Sequence, residues 1–203
     1  MTKNDDFYES YTYRGDDSRD IRVALYEIEY ENVYHLKNLY WLMHEWFDIE
    51  NFESLDHDGY FENLYWQKIK PDGSIDHHIW WRTIRVPKNN NYYRYFIKVD
   101  IQTLNIGKSE MMSRGKKYNV NQGDVIIRVE AYLQLDYNNK WKKHWLLKNF
   151  DTWYRRRFFK RYVEDLKKDL YKTVYRFQDT IKQYLELHTK FDLPKPFHPP
   201  KTL

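Results

Sequence analysis

Apolar side chains recur along this chain at two spacings, and the change from one to the other divides it into elements. Over residues 22–30 they alternate. Tyr26, Ile28 and Tyr30 share one face, and Glu27, Glu29 and Glu31 the other, which predicts a half-buried strand. Asn32 stands at an N-cap position, and Val33, Leu36, Leu39, Tyr40, Met43, Trp46 and Phe47 then follow at helical spacing, predicting an amphipathic helix to Asp48. Residues 49–59 are acidic and irregular and read as a loop. Residues 60–70 and 75–86 read as two strands joined at Pro71-Asp72-Gly73-Ser74, where proline presets the first turn residue and glycine accepts a positive φ.

Alternation returns at Tyr93, Tyr95, Ile97, Val99 and Ile101 and predicts a strand with one wet face; a shorter strand is expected over 108–113. After Gly123, Val125, Ile127, Val129, Ala131, Leu133 and Leu135 all fall on one side of a further strand. A turn at 136–140 precedes Trp141 to Leu147, which fits either a last strand or the start of a helix. Asp151 is a candidate N-cap. Residues 152–188 contain no Gly or Pro, and Phe159, Val163, Leu166, Leu170, Val174, Phe177, Ile181 and Leu185 trace one stripe of a long amphipathic helix.

The expected class is therefore α+β, a curved antiparallel sheet with one N-terminal helix and a long C-terminal helix packed on it. The expected division is a flexible polar arm over 1–20, one α+β domain over 21–188 and a Pro-rich extended tail over 189–203. This order of elements resembles the helix-grip fold, the Bet v 1 and START-like group, in which a bent antiparallel sheet grips a long final helix. The resemblance covers residues 21–188 and rests on element order. Two features depart from it: one helix follows the first strand where the group has a pair, and the glycine-rich loop of some members has no counterpart. It implies a cavity for an apolar ligand between sheet and helix and carries over no catalytic residue.

Composition narrows the picture. The 203 residues include no cysteine, which excludes a disulfide framework and a thiol nucleophile. The polar start of the chain, the lack of cysteine and the lack of a long apolar run lead to the expectation of a cytoplasmic protein without a membrane span. Lysine and arginine (34) nearly balance aspartate and glutamate (30), so net charge alone does not mark a nucleic-acid binder. Aromatic residues make up 19%, with 20 Tyr and 8 Trp. They serve either as a core built of rings or as the lining of a binding site. Trp66, Trp80, Tyr95 and Tyr132 lie on predicted strands and are the candidate ligand-binding residues. Trp80 and Trp81 must face opposite ways, one into the core.

Candidate chemistry is sparse. Asp56-His57-Asp58 and Asp76-His77-His78 are the clusters that look like metal ligands, but His77 and His78 are neighbours on a strand and point to opposite faces. No metal and no cofactor is expected. His44-Glu45 on the first helix is compatible with acid–base work but reads as structural, and no nucleotide-loop or nucleophile-elbow motif occurs. The chain is read as leaning non-catalytic: a binding protein for a small hydrophobic ligand held between sheet and C-terminal helix. A second reading is nucleic-acid or polyanion binding through Arg155, Arg156, Arg157, Lys160 and Arg161, a basic run with interleaved rings. A third is a structural subunit of a larger complex, with spare rings covered by a partner.

Overall fold

The structure, a computed structural model, describes residues 19–55, 59–88, 90–113, 116–145, 147 and 160–190. The elements in chain order are β1 (Asp20–Tyr34), α1 (Leu36–Ile49), β2 (Glu53–Ser54), β3 (Glu62–Ile69), β4 (Ile75–Arg85), β5 (Tyr93–Ser113), β6 (Lys116–Leu135), a short α2 (Lys140–Lys143) and α3 (Lys160–Lys190). The strands form one open antiparallel sheet in the order β1-β6-β5-β4, and β4 carries β2 and β3 along its far edge. The α+β class read from the sequence is the class observed.

The period-two pattern explains the layering. Val125, Ile127, Val129 and Ala131 of β6 are fully buried, as are Val99 of β5 and Trp81 of β4. Against them lies the stripe of α3, in which Leu170, Val174, Phe177 and Ile181 are buried to 1% exposure or less. Rings close the gap between the two helices and the sheet: Phe177 lies 4.7 Å from Trp46 and 4.9 Å from Phe47 of α1. Trp81 lies 4.9 Å from Tyr40 in an edge contact. The core is thus built substantially of rings, which bury more area per side chain than aliphatics do.

Several boundaries differ from the pattern-based expectation. Asn32 is not an N-cap; β1 runs on through Val33 and Tyr34, which pair with Gln122 and Asn121 of the long β6. Tyr34 is completely buried at the end of that ladder, and burial of its ring favours strand over an extra helical turn. Helix α1 starts at Leu36, capped by His35, whose Nδ1 accepts from the Asn38 N–H (3.2 Å). The segment read as loop contains β2, two residues long, beside Thr83 and Ile84.

The two strands expected over 93–102 and 108–113 are one strand, β5, with a bulge between Leu104 and Gly107. Asn105 takes a left-handed φ of 55° there, so the local sequence reads as a turn although pairing resumes beyond it. In the same way β6 begins at Lys116, well before Gly123. Trp141 lies in the single turn α2, and α3 is helical across the described part of the expected long helix. The Asp151 cap, Phe159 and residues 1–18 and 191–203 lie outside the described residues. Arg19 and Asp20, expected in the arm, are buried at the start of β1, and Thr189 and Lys190, expected in the tail, still belong to α3.

Buried phenols tie the layers together. Tyr26 Oη donates to the Val174 carbonyl of α3 (3.2 Å), and Tyr184 Oη to the His35 carbonyl (3.1 Å). Burial raises the pKa of both, and of Tyr34, Tyr93, Tyr95 and Tyr132, far above the ordinary tyrosine value of 10.0. Below pH 10 these phenols are neutral in folded and unfolded chain alike, and their stabilising contribution is complete. Above it the unfolded chain gains anionic tyrosinates that the folded core refuses, so stability falls as pH rises. The urea midpoint is expected to hold steady up to about pH 10 and to decline beyond it. A midpoint that stays level there would mean the phenols ionise without leaving their places.

Candidate functional site

The C-terminal end of α1 sets one wall of a cleft. Asn51 adopts a left-handed φ of 57°, its N–H bonds the Asp48 carbonyl (3.0 Å), and the Phe52 N–H bonds the Phe47 carbonyl (2.9 Å). This pattern closes a helix and reverses the chain. It buries Phe52 and leaves Glu50 at the rim facing the end of β4. There Arg85, last residue of β4, pairs in register with Tyr95 of β5 on the helix side of the sheet.

Arg85 joins three elements. Its guanidinium carbon sits 4.8 Å from the ring centres of both Phe52 and Tyr95, an arrangement that attracts a cation to two π faces. Its Nη1 donates to the Glu50 carbonyl (3.2 Å), and its Nη2 lies 3.4 Å from Asp169 Oδ2 on α3. Tyr95 Oη donates to the same Asp169 oxygen (3.0 Å). Burial, then the neighbouring Asp169 charge, push the Tyr95 phenol up, so it serves as a neutral donor. Glu50 is also held by Arg176 of α3 (2.9 Å). Between these groups a cleft of about 450 Å³ opens to solvent, lined also by Pro87, Tyr93 and Leu166. Apolar walls with a few convergent polar groups are the usual makeup of a small-molecule site.

The four aromatic residues singled out from the sequence do not converge. Tyr95 lies in the cleft. Trp66, Trp80 and Tyr132 lie on the face turned away from α3. Trp80 is 42% exposed and Trp66 45% exposed, whereas its neighbour Trp81 is the indole that enters the core. Tyr132 is buried with Ile84 and Phe96 in a small apolar cluster on that outer face. Beside Trp80 and His78 the outer face has a hollow of about 310 Å³ lined by Asp100, Gln102 and Arg128. Its charged residues pair across strands, Asp100 with Arg82 (2.6 Å) and Arg128 with Glu27 (2.7 Å), and Lys98 with Glu130 (3.8 Å) forms a further cross-strand pair outside it.

Other candidates resolve as follows. His77 is buried with Nδ1 2.7 Å from Thr103 Oγ1, and burial lowers its pKa, while the His78 ring lies tilted 5.1 Å from that of Trp66 on the opposite face. Asp76 is engaged by Lys70 (2.9 Å) and by the Asn105 N–H (2.8 Å). His44 pairs with Asp48 one helical turn on (3.1 Å). Asp56, His57 and Asp58 lie outside the described residues, as do Arg155, Arg156 and Arg157. Lys160 and Arg161 are exposed at the start of α3, where Lys167 pairs with Glu164 (2.7 Å) and Lys168 with Asp165 (3.7 Å). No described helix is long and apolar enough to cross a membrane.

Sequence reasoning passed over Arg85, Glu50 and Asp169. One signal was present: Arg85 follows Ile79, Trp81 and Thr83 at every second place on the buried side of β4, and a charge on that side must find partners. Neither a protein-family model nor a curated protein matches this sequence.

Proposed function

We propose that the chain is a non-catalytic, helix-grip-like binding protein whose ligand enters the cleft between the sheet and α3. The observation that carries this reading is the cleft itself. It is open on one side, walled by Tyr93, Tyr95, Pro87 and Leu166, and has Arg85 fixed between two rings at its polar end. The deeper space between sheet and helix is filled by Phe47, Phe177 and Trp46, so the ligand is small. It has an apolar body against the tyrosine rings and a polar head toward Arg85, Glu50 and Asp169. The strand order β1-β6-β5-β4 and the long last helix laid over the buried face support the helix-grip likeness.

Native mass spectrometry of freshly purified protein is expected to show an adduct of small-molecule mass. Asp165→Trp at the exposed lip puts an indole in the cleft mouth without touching the core, and should remove the adduct. A ligand at a hundred times its Kd stabilises by about 2.7 kcal/mol, or roughly 5–10 °C in a domain of this size. A bare chain mass, together with a melting temperature unmoved across a panel of amphipathic compounds, would reject the proposal.

A further inference from the structure

The outer face of the sheet, turned away from α3, carries the hollow of about 310 Å³ beside Trp80. That volume lies at the small end of the range of ligand sites, about 300–1,000 Å³. Strand register builds the hollow from two rows of outward side chains. Trp80, Asp100, Arg128 and Glu27 stand level across β4, β5, β6 and β1. His78, Gln102 and Ile126 form the next row on the same face. Half-buried Ile126 adds an apolar patch between the polar groups.

Trp80 forms one wall. Arg82 lies on one side of its ring along β4, with the guanidinium carbon 5.7 Å from the ring centre. The hollow opens on the other side, toward His78 and Gln102. One face of the indole is thus held and the other is left for a ligand. The charges then narrow the kind of ligand. Asp100 is paired with Arg82 (2.6 Å) and Arg128 with Glu27 (2.7 Å), so each charge at the hollow is cancelled by a neighbour. No surplus cation remains to draw a phosphate, and no surplus carboxylate to draw an amine. The Gln102 amide, with two donor hydrogens and an acceptor oxygen, has no hydrogen-bond partner among the described residues. A purely apolar ligand would cover these polar groups and cost them their hydration.

The geometry points to a saccharide site, which takes a neutral pyranose ring with its C–H face on Trp80 and its hydroxyls toward Asp100, Gln102 and Arg128. A sugar ring meets each requirement of the hollow. Its C–H face is apolar and lies flat on an indole, whose negative π face attracts the weakly positive hydrogens. Each hydroxyl is both donor and acceptor. It can donate to the Asp100 carboxylate or the Gln102 carbonyl, and accept from the Gln102 amide or from guanidinium N–H groups that the Glu27 pair leaves over. Neighbouring strands lie about 4.8 Å apart, so Trp80 on β4 and Arg128 on β6 stand about 10 Å apart, room for one ring with its hydroxyls.

The test is saturation-transfer NMR with the methyl glycosides of glucose, galactose, mannose and N-acetylglucosamine, and with adenosine as a neutral base that can also stack. At least one glycoside should receive saturation from the protein, most strongly at the protons of its C–H face. Trp80→Ala, at an exposed position, should abolish the transfer with circular dichroism unchanged. Gln102→Ala should weaken binding about fivefold, the loss of one hydrogen bond. Trp41→Ala, at a 50% exposed indole on α1, should change nothing and controls for casual stacking on a surface ring. Transfer to none of the glycosides, transfer that survives Trp80→Ala, or transfer lost equally with Trp41→Ala overturns the inference. So does adenosine binding through Trp80 more strongly than every glycoside, which would make the hollow a base-stacking site.

Discussion

Gly123→Ala is expected to destabilise the fold by on the order of 4 kcal/mol, the sum of a strained backbone and an overpacked contact. Gly123 has φ +151°, and a Cβ placed on it would lie 2.8 Å from the carbonyl oxygens of both Leu104 and Asn105 and 2.9 Å from Ile106 Cδ1. The cause is the β5 bulge. Leu104 pairs with Asp124 and Gly107 with Gln122, so Asn105 and Ile106 together stand opposite Gly123 alone. The extra residue crowds its carbonyls against β6 at that one point and turns Ile106 into the core, where it is 4% exposed. Gly107→Ala is the internal control. Its Cβ would meet nothing nearer than the Gln122 carbonyl at 3.8 Å. Thermal unfolding should drop by roughly 8–16 °C for Gly123→Ala and stay near wild type for Gly107→Ala. Equal, small shifts would show that the bulge yields.

The same bulge marks where pattern reading stops. Alternation exposed the centres of β1, β5 and β6 because each has one face against the helices, and that burial writes a period of two into Tyr26–Ile28 or Val125–Leu135, whereas β4 was read from the turn at Pro71–Ser74 that precedes it. It failed at Asn32, Asn105 and Gly123, residues whose local preference is for caps and turns. Each is carried through a long ladder by its neighbours: Asn32 by the buried Tyr34, Asn105 by the pairing that resumes at Gly107, and Gly123 by both flanking strands.

The cleft was less legible than the fold. Its residues come from four elements distant in sequence, and Arg85, Glu50 and Asp169 are each ordinary until the register of β4 on β5 and the seat of α3 bring them together. The alternation that separated Trp80 from Trp81 could be read from spacing alone. Which of the two indoles faced inward depended on Phe47, Phe61 and Tyr40, rings brought to Trp81 only by tertiary packing.

Phe177→Ala should cost about 3–5 kcal/mol, the range for emptying a buried phenyl site, and its consequences should reach the cleft. Phe177 is 1% exposed at the middle of α3, with Trp46 and Phe47 of α1 packed on its ring. Those side chains are themselves fixed by Phe52 and Trp81, so they have little freedom to collapse into the space left behind. The ring is therefore the principal joint between the two helices. Leu166 and Asp169, which form the α3 wall of the cleft, lie two to three turns before it on the same helix. Loosening that helix separates Asp169 from Arg85 and from the Tyr95 hydroxyl. The expected result is a urea midpoint well below wild type together with loss of any small-molecule adduct. Tyr171→Ala, at a 47% exposed position on the same helix, should leave both nearly unchanged. An adduct retained by a folded but destabilised Phe177→Ala protein would place the ligand away from α3, because no ligand gripped between sheet and helix can be indifferent to the joint that seats the helix.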